Sequence, residues 1–376
     1  MIVIKNQLVA VFSIGDIQDF ISPSNLISFE LYENAGNLRP IFKMSFTLTN
    51  KKVLNYLNAG NILTVNFGIH EPNDNILQFE LQGDTANLDY TLGNTVSITS
   101  ALYLPEFTNK QKNHNYGNKY SYEVLAEIAK RHNLNFITNV NKTNDKQVWF
   151  QCGKTDWQYA EEVWMHSYIN DDTFFAFGVD GTNMYFYDVR NHVQEGNKWT
   201  FTPKADGIKN TKIVNFAQYF TENTYGITSD LVGKNVTNTT FNINSGEFNQ
   251  YGYSLKNFTT IDSNKLNINP VGCMDYTYNI ISDDVHKNYI KAYNQNFRNN
   301  VLYSSFNIYI PTGGQIKKFK LIDTAEIIPL VKDDRITGTC FITSICYQYK
   351  ENTLLTNVTL NKEAPSGIRG ENLING

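Results

Sequence analysis

Between Leu26 and Leu104 the chain alternates apolar and polar residues in five short runs, LISFELYE, PIFKMSFTLT, ILTVNFGI, ILQFELQG and TVSITSALYL. A period of two sends successive side chains to opposite faces, which suits strands half-buried in an antiparallel sheet and is incompatible with helix. Turn-forming residues separate the runs, so residues from Ile2 to about Glu106 predict an antiparallel barrel or sandwich. KKVLNYLNAGN is the one interruption: Val53, Leu54 and Leu57 fall at helical spacing and Gly60 is placed to cap the turn. The same strand character returns late in LYSSFNIYIP, IKKFKLI, AEIIPL, GTCFITSICYQYK and TLLTNVTLNK, which predicts a second antiparallel barrel.

The middle of the chain changes type. FTNKQKNHNYGNKY, Phe107 to Tyr120, is polar and without period, and reads as a boundary. SYEVLAEIAKRHNLNF follows, with Ser121 as a cap and Val124, Leu125 and Ile128 along one face, and then VWFQC as a strand. In KTDWQYAEEVWMHSYINDDTFFAFGVDGTNMYFYD, Thr155 and Gln158 form a T-x-x-Q capping box that starts a helix at Asp156. Trp157, Ala160, Trp164 and Tyr168 line its buried face, leaving Glu161, Glu162 and His166 largely off it. TFFAFGV and MYFYDV then make a hairpin around DGTN, where Asp-Gly accepts the positive φ of a tight turn. TKIVNFAQYF resumes β character after TPKADG; Gly226 to about Pro270 is a polar tract read as an insertion with weak strands. Asp283 to Asn299 predicts a helix with Val285, Tyr289, Tyr293 and Phe297 on one stripe.

At 376 residues the chain has room for two or three domains, and 41% hydrophobic content supports real cores. A net charge of -4 gives no cationic field for gripping nucleic acid, and no run approaches the apolar length of a membrane helix. The N-terminus shows no signal-peptide pattern, so the expectation is a protein made and kept in a cytoplasm.

Candidate chemistry is sparse. Histidines at 70, 114, 132, 166, 192 and 286 have no zinc-ligand spacing, and Cys340 and Cys346, an even number apart in one strand, read as core thiols sharing a face. The acidic pairs Glu161-Glu162, Asp171-Asp172, Asp283-Asp284 and Asp333-Asp334 are adjacent residues that cannot face each other across a glycoside, and Gly313-Gly314 sits between strands as a tight turn rather than in a phosphate loop. The expectation is no catalytic residue, no cofactor and no metal site.

The order of elements is specific. A barrel with a KKVLNYLNAGN-like turn before ILTVNFGI, then SYEVLAEIAKRHNLNF, then VWFQCGKTDWQYAEEVWMHSYINDDTFFAFGVDGTNMYFYD, a late HKNYIKAYNQNF helix and closing GTCFITSICYQYKENTLLTNVTLNK strands resembles the baseplate hub family of contractile-tailed phages. That family includes late-control protein D, the Mu-like 43 kDa tail protein and the N-terminal half of type VI spike proteins. The resemblance covers nearly the whole chain. It implies a mixed α+β fold, mostly antiparallel β, with two β-barrel tube-type domains at 1–106 and at 207–235 plus 300–363. Interposed α+β modules then fall at 115–200 and 240–299, with a C-terminal tail at 364–376. It also implies a non-enzymatic homotrimer whose six barrels meet a hexameric tail tube protein, with a central spike protein and baseplate wedge or tape-measure proteins as partners, no stable nucleic-acid binding and no membrane insertion. Because the chain carries no needle or lysozyme domain, the spike is expected as a separate protein. Ile368, Arg369, Leu373 and Ile374 in the tail are the expected contact. The competing expectation is a secreted carbohydrate-binding or adhesin module, with a glycoside hydrolase third.

Overall fold

The computed structural model describes residues 2–4, 8–22, 24–36, 39–69, 75–82, 87–89, 94–171, 173–203, 212–223, 235–241, 246–254, 276–281, 285–289, 291–293, 295–296, 304–311, 319–331, 337–350 and 353–362. The first half carries β1 (Ile2–Ile4), β2 (Leu8–Ile14), β3 (Leu26–Asn34), β4 (Ile41–Thr47), β5 (Ile62–Ile69), β6 (Asn75–Leu81), β7 (Asn87–Asp89) and β8 (Thr95–Leu102). A middle module follows with β9 (Gln111–Lys119), α1 (Ser121–Arg131), β10 (Asn135–Thr138), β11 (Gln147–Thr155), α2 (Asp156–Met165), β12 (Phe175–Val179), β13 (Asn183–Asp188) and α3 (Val189–Gln194). The remainder is β14 (Trp199–Thr202), β15 (Ile213–Asn215), β16 (Gln218–Asn223), β17 (Asn235–Phe241), β18 (Phe248–Ser254), β19 (Tyr276–Ile281), β20 (Ser304–Pro311), β21 (Thr324–Ile327), β22 (Gly338–Lys350) and β23 (Thr353–Lys362).

The two strand-rich ends of the chain form one sheet of 15 strands. Its path runs β1-β2-β5-β6-β8-β4-β3, with β7 on β8, and crosses from β3 to β22. The 13-residue β22 is the hinge pin of this arrangement. One edge follows β23, while the other is shared: Gly338–Phe341 pair with β21 and Ser344–Lys350 with β3. Pairings are antiparallel except β10–β13, β14–β15, β14–β21 and β17–β19. The chain is thus mostly β and antiparallel, as expected. Among the described residues no pairing closes either half into a barrel.

Aromatic side chains fill the first half: Phe12, Phe29, Phe42 and Phe79 are buried, with ring centroids 5.3–6.2 Å apart along the chain of contacts. Tyr349 of β22 stacks on Phe29 at 5.5 Å, so the second half closes part of the first half's core. A second core gathers Ile308, Phe341, Ile342, Ile345, Val358 and Leu360 with Phe201 and Ile327.

Several expectations are corrected. Gln111–Lys119, read as part of a boundary, is the strand β9, paired with β11; it is polar because one side of that ribbon faces water. Ser121 is not the cap of α1: Tyr120 is, with Glu123 Oε2 accepting its amide, while Ser121 is buried and donates to Asp145. The KKVLNY turn is a 3-10 helix that ends at Leu57, and Gly60 takes φ +85° beyond it. Of IKKFKLI, Phe319–Ile322 form no strand, and Ile322 turns at φ +66°. Of the helix expected at 283–299, residues 289, 291–293, 295 and 296 are helical and Val285 is a bend. Cys340 and Cys346 do not share a face. A bulge between Ile342 and Ser344 reverses the alternation, keeping Cys340, Ile342 and Ile345 in the core and turning Cys346 toward Glu30. Gly313-Gly314, Asp283-Asp284, Asp333-Asp334, Asp172 and His70 lie outside the described residues.

Candidate functional site

The most chemically distinctive region is α2 and what it touches. The capping box forms as the T-x-x-Q spacing dictates: Gln158 N donates to Thr155 Oγ1 at 3.2 Å and Thr155 N to Gln158 Oε1 at 3.1 Å. Trp157, Ala160 and Trp164 are buried on its inner face, Tyr168 is buried just beyond its end, and the Trp164 indole donates to Phe175 O of β12 at 2.8 Å. The helix and hairpin therefore make one aromatic block, with Trp164 stacked on Phe177.

Asp156, the first helical residue, has no solvent exposure. Burial opposes its charge, but His132 Nε2 at 2.6 Å, Lys112 Nζ at 2.9 Å, Gln151 Nε2 at 2.9 Å and Arg131 Nη1 at 3.3 Å overcome that and hold its carboxyl well below the usual carboxylate range. These partners come from β9, α1 and β11, so the carboxylate ties the module together. Its position at a helix N-terminus also suits a negative charge.

At the other end of α2, residues 285–289, 291–293 and 295–296 lie across it as a strap. His166, expected off the buried face, is itself buried, its ring 3.5 Å from that of Tyr289 at an interplanar angle of 7°. Its Nδ1 bonds Tyr289 O at 3.0 Å, and His286 Nε2 bonds His166 O at 3.0 Å. Burial pulls His166 down to about 3 and also lowers His286. Asn296 Nδ2 reaches the carbonyls of Trp164, Met165 and Ser167, while its Oδ1 accepts Phe175 N at 3.0 Å. A helix leaves its last carbonyls unpaired, and this one amide supplies much of what α2 lacks. Gln295 Nε2 does the same for the carbonyls of Asn170, Asp171 and Thr173.

Between α2 and one face of the large sheet lies a cleft of about 840 Å³. Lys154, Gln158, Glu161, Glu162 and His166 line one wall; Tyr32, Asn34, Ser344, Cys346, Asn357 and Thr359 line the other. Lys154 is paired with Glu162 at 2.6 Å, and the hydroxyls of the sheet wall are used in a chain from Ser344 to Thr359 to Asn307, each link 2.6 Å. Of the oxygens of the lining residues, Glu161 Oε1 and Asn357 Oδ1 are sealed from solvent and find no hydrogen-bond partner among the described residues. Burial raises the Glu161 carboxyl to about 7, against a smaller pull from the Trp157 indole and Arg39. The sequence shows Glu161 only as one of two adjacent acids on an exposed helical face, because nothing local encodes the sheet packed over it. Among the described residues no three His, Cys, Asp or Glu side chains gather to hold a metal ion. The expected partner contacts Ile368, Arg369, Leu373 and Ile374 lie outside the described residues.

No protein-family model and no curated protein matches the sequence. Solved structures do match the fold. The tail protein from Neisseria meningitidis MC58 superposes with a TM-score of 0.56 at 9% identity, over 97% of this chain and 98% of that one. The 43 kDa tail protein of prophage MuSo2 from Shewanella oneidensis gives a TM-score of 0.54 at 10% identity, over 94% and 98%. The likeness to the Mu-like tail fold read from element order therefore holds over nearly the full length of the chain.

Proposed function

We propose that this chain is a structural baseplate hub at the end of a phage or phage-like tail. In this reading three copies form a ring, and two tube-type barrels from each, built on 1–106 and on 207–235 plus 300–363, present six units to a hexameric tail tube. The modules at 115–200 and 240–299 buttress the ring, the other face receives a trimeric spike, and a central channel passes DNA or effectors. The single observation that supports it is full-length agreement in fold with two tail proteins, one of them from a prophage. A sheet that runs unbroken from β1 to β15 through one central strand pair is consistent with it, since such a sheet offers one subunit two neighbouring strand-rich units.

The role is architectural rather than enzymatic, the partners are the tube, the spike and wedge or tape-measure proteins, and the location is the virion, after assembly in the host cytoplasm. A net charge of -4 suits a bore that lets phosphate pass without holding it, and acidic or amide side chains are expected to line it. Light scattering on the purified chain, alone and with its spike candidate, tests the proposal. The expected mass is three times 43.0 kDa, in the chain alone or on addition of the spike. A persistent monomer that binds a glycan panel would replace this reading with the adhesin.

A further inference from the structure

Large apolar side chains exposed singly need no account, but three of them fall within four consecutive positions: Ile328 is 49% exposed, Leu330 60% and Val331 79%. The run AEIIPL, read as a strand, keeps that form only to Ile327, which is buried in the second core. Ile328 N still donates to Phe201 O at 2.9 Å, but Pro329 has no amide to offer, so the ladder stops and the chain leaves the sheet with its apolar residues uncovered. A contiguous apolar run of this kind marks a surface that something else covers.

The topology says what can reach it. β21 and β23 flank β22 and both run antiparallel to it, so they run parallel to one another. Phe341 of β22 pairs with Thr324 on one side and Asn361 on the other, which sets the two strands in step, about 10 Å apart. β21 therefore delivers Ile328–Val331 to the end of the sheet at which β23 finishes with Lys362, with only the start of β22 between them. Ile368 is the sixth residue past Lys362, and six extended residues reach about 20 Å, twice the gap. Leu373 and Ile374 follow within the same polar segment. A segment tethered this closely is present at an effective concentration in the millimolar range, which no free partner matches. We infer that residues 363–376 fold back on the same chain and seat Ile368, Leu373 and Ile374 on the Ile328–Val331 run. This seat requires neither a ring nor a spike, and it sheathes the residues expected to meet the spike, so a contact through them must first displace them.

Trypsin cleavage after Arg369 in the full chain, followed by mass spectrometry, tests the inference, because Arg369 lies between the anchoring residues. Leu330→Asp alters an exposed side chain and should leave Tm nearly unchanged while cleavage speeds up about tenfold or more, the loss expected for one buried leucine. Leu373→Asp should do the same from the other side of the contact, and Ile76→Asp, at an exposed site in the first half, should cut like the parent. In methyl NMR the Ile328 δ1 signal, assigned by Ile328→Val, should show a cross-peak to Ile368 or Ile374 that Leu330→Asp removes. Co-expressing Leu330→Asp chains with Leu373→Asp chains puts the intact run and the intact segment on different molecules. Rapid cleavage throughout that mixture is expected; protection regained in it would place the segment on a second copy and overturn the inference. It fails equally if the parent is cut as fast as Leu330→Asp or if the cross-peak is absent.

Discussion

A single histidine carries a stability signature that solution measurements can read. His166 is buried and neutral, stacked on Tyr289, with a pKa drawn from 6.5 to about 3 by burial. The unfolded chain takes up the proton near 6.5 and the folded chain does not until about 3, so its contribution is intact above 6.5 and is lost as pH falls through that window. The slope from this group alone approaches about 1.4 kcal/mol per pH unit. Urea midpoints measured from pH 7.5 to pH 4 should fall more steeply in the parent than in His166→Gln; parallel curves would show that the ring is protonated without penalty. His286 adds to the same slope in both proteins. Nothing in the sequence marks His166 as buried: it lies off the Trp157, Ala160, Trp164 stripe. What buries it is a strap more than 120 residues away, by way of the Tyr289 carbonyl.

Elements whose logic is local were legible, and those completed by a distant partner were not. The α2 capping box, the Trp157, Ala160 and Trp164 stripe and the DGTN hairpin follow from spacing alone, and the structure places each as expected, whereas Tyr168, expected on the same helix face, falls beyond the end of α2. Strand β9 escaped because its alternation is between polar residues and Tyr116, and its burial depends on packing against a helix 40 residues on. The bulge in β22 escaped because GTCFITSICYQYK alternates plausibly in either register; only two different neighbours along one edge, β21 and then β3, demand the extra residue. Within the hairpin, Gly181 has φ +96°, and a Cβ there would meet Leu77 Cδ2 at 2.8 Å and Leu102 Cδ1 at 3.2 Å. Gly181→Ala should therefore destabilise the protein by about 1–3 kcal/mol, from backbone strain and from pressing on the first half's core. Chemical denaturation measures this, and Thr182→Ala is the comparison expected to be milder.

At the scale of the whole molecule, the β3–β22 seam joins the two halves in one sheet and should make them unfold as one cooperative body. Tyr349 belongs to the second half by sequence but packs in the first half's core against Phe29, with 4% of its surface exposed. Tyr349→Ala should cost roughly 3–5 kcal/mol, the range for removing a buried aromatic. Hydrogen exchange should show protection falling in β2 and β5 as well as in β20 and β23. Loss confined to β20 and β23 would mean that the seam joins the halves without coupling them.

That seam also sets a schedule for biosynthesis. β3 leaves the ribosome with the first 34 residues, whereas the strand that covers its edge begins pairing at Ser344, when most of a 376-residue chain has already been translated. Until then one edge of the sheet and the aromatic ring cluster behind it wait open. Nascent chains therefore spend most of their translation time as a surface on which another nascent chain, or a chaperone, can settle first.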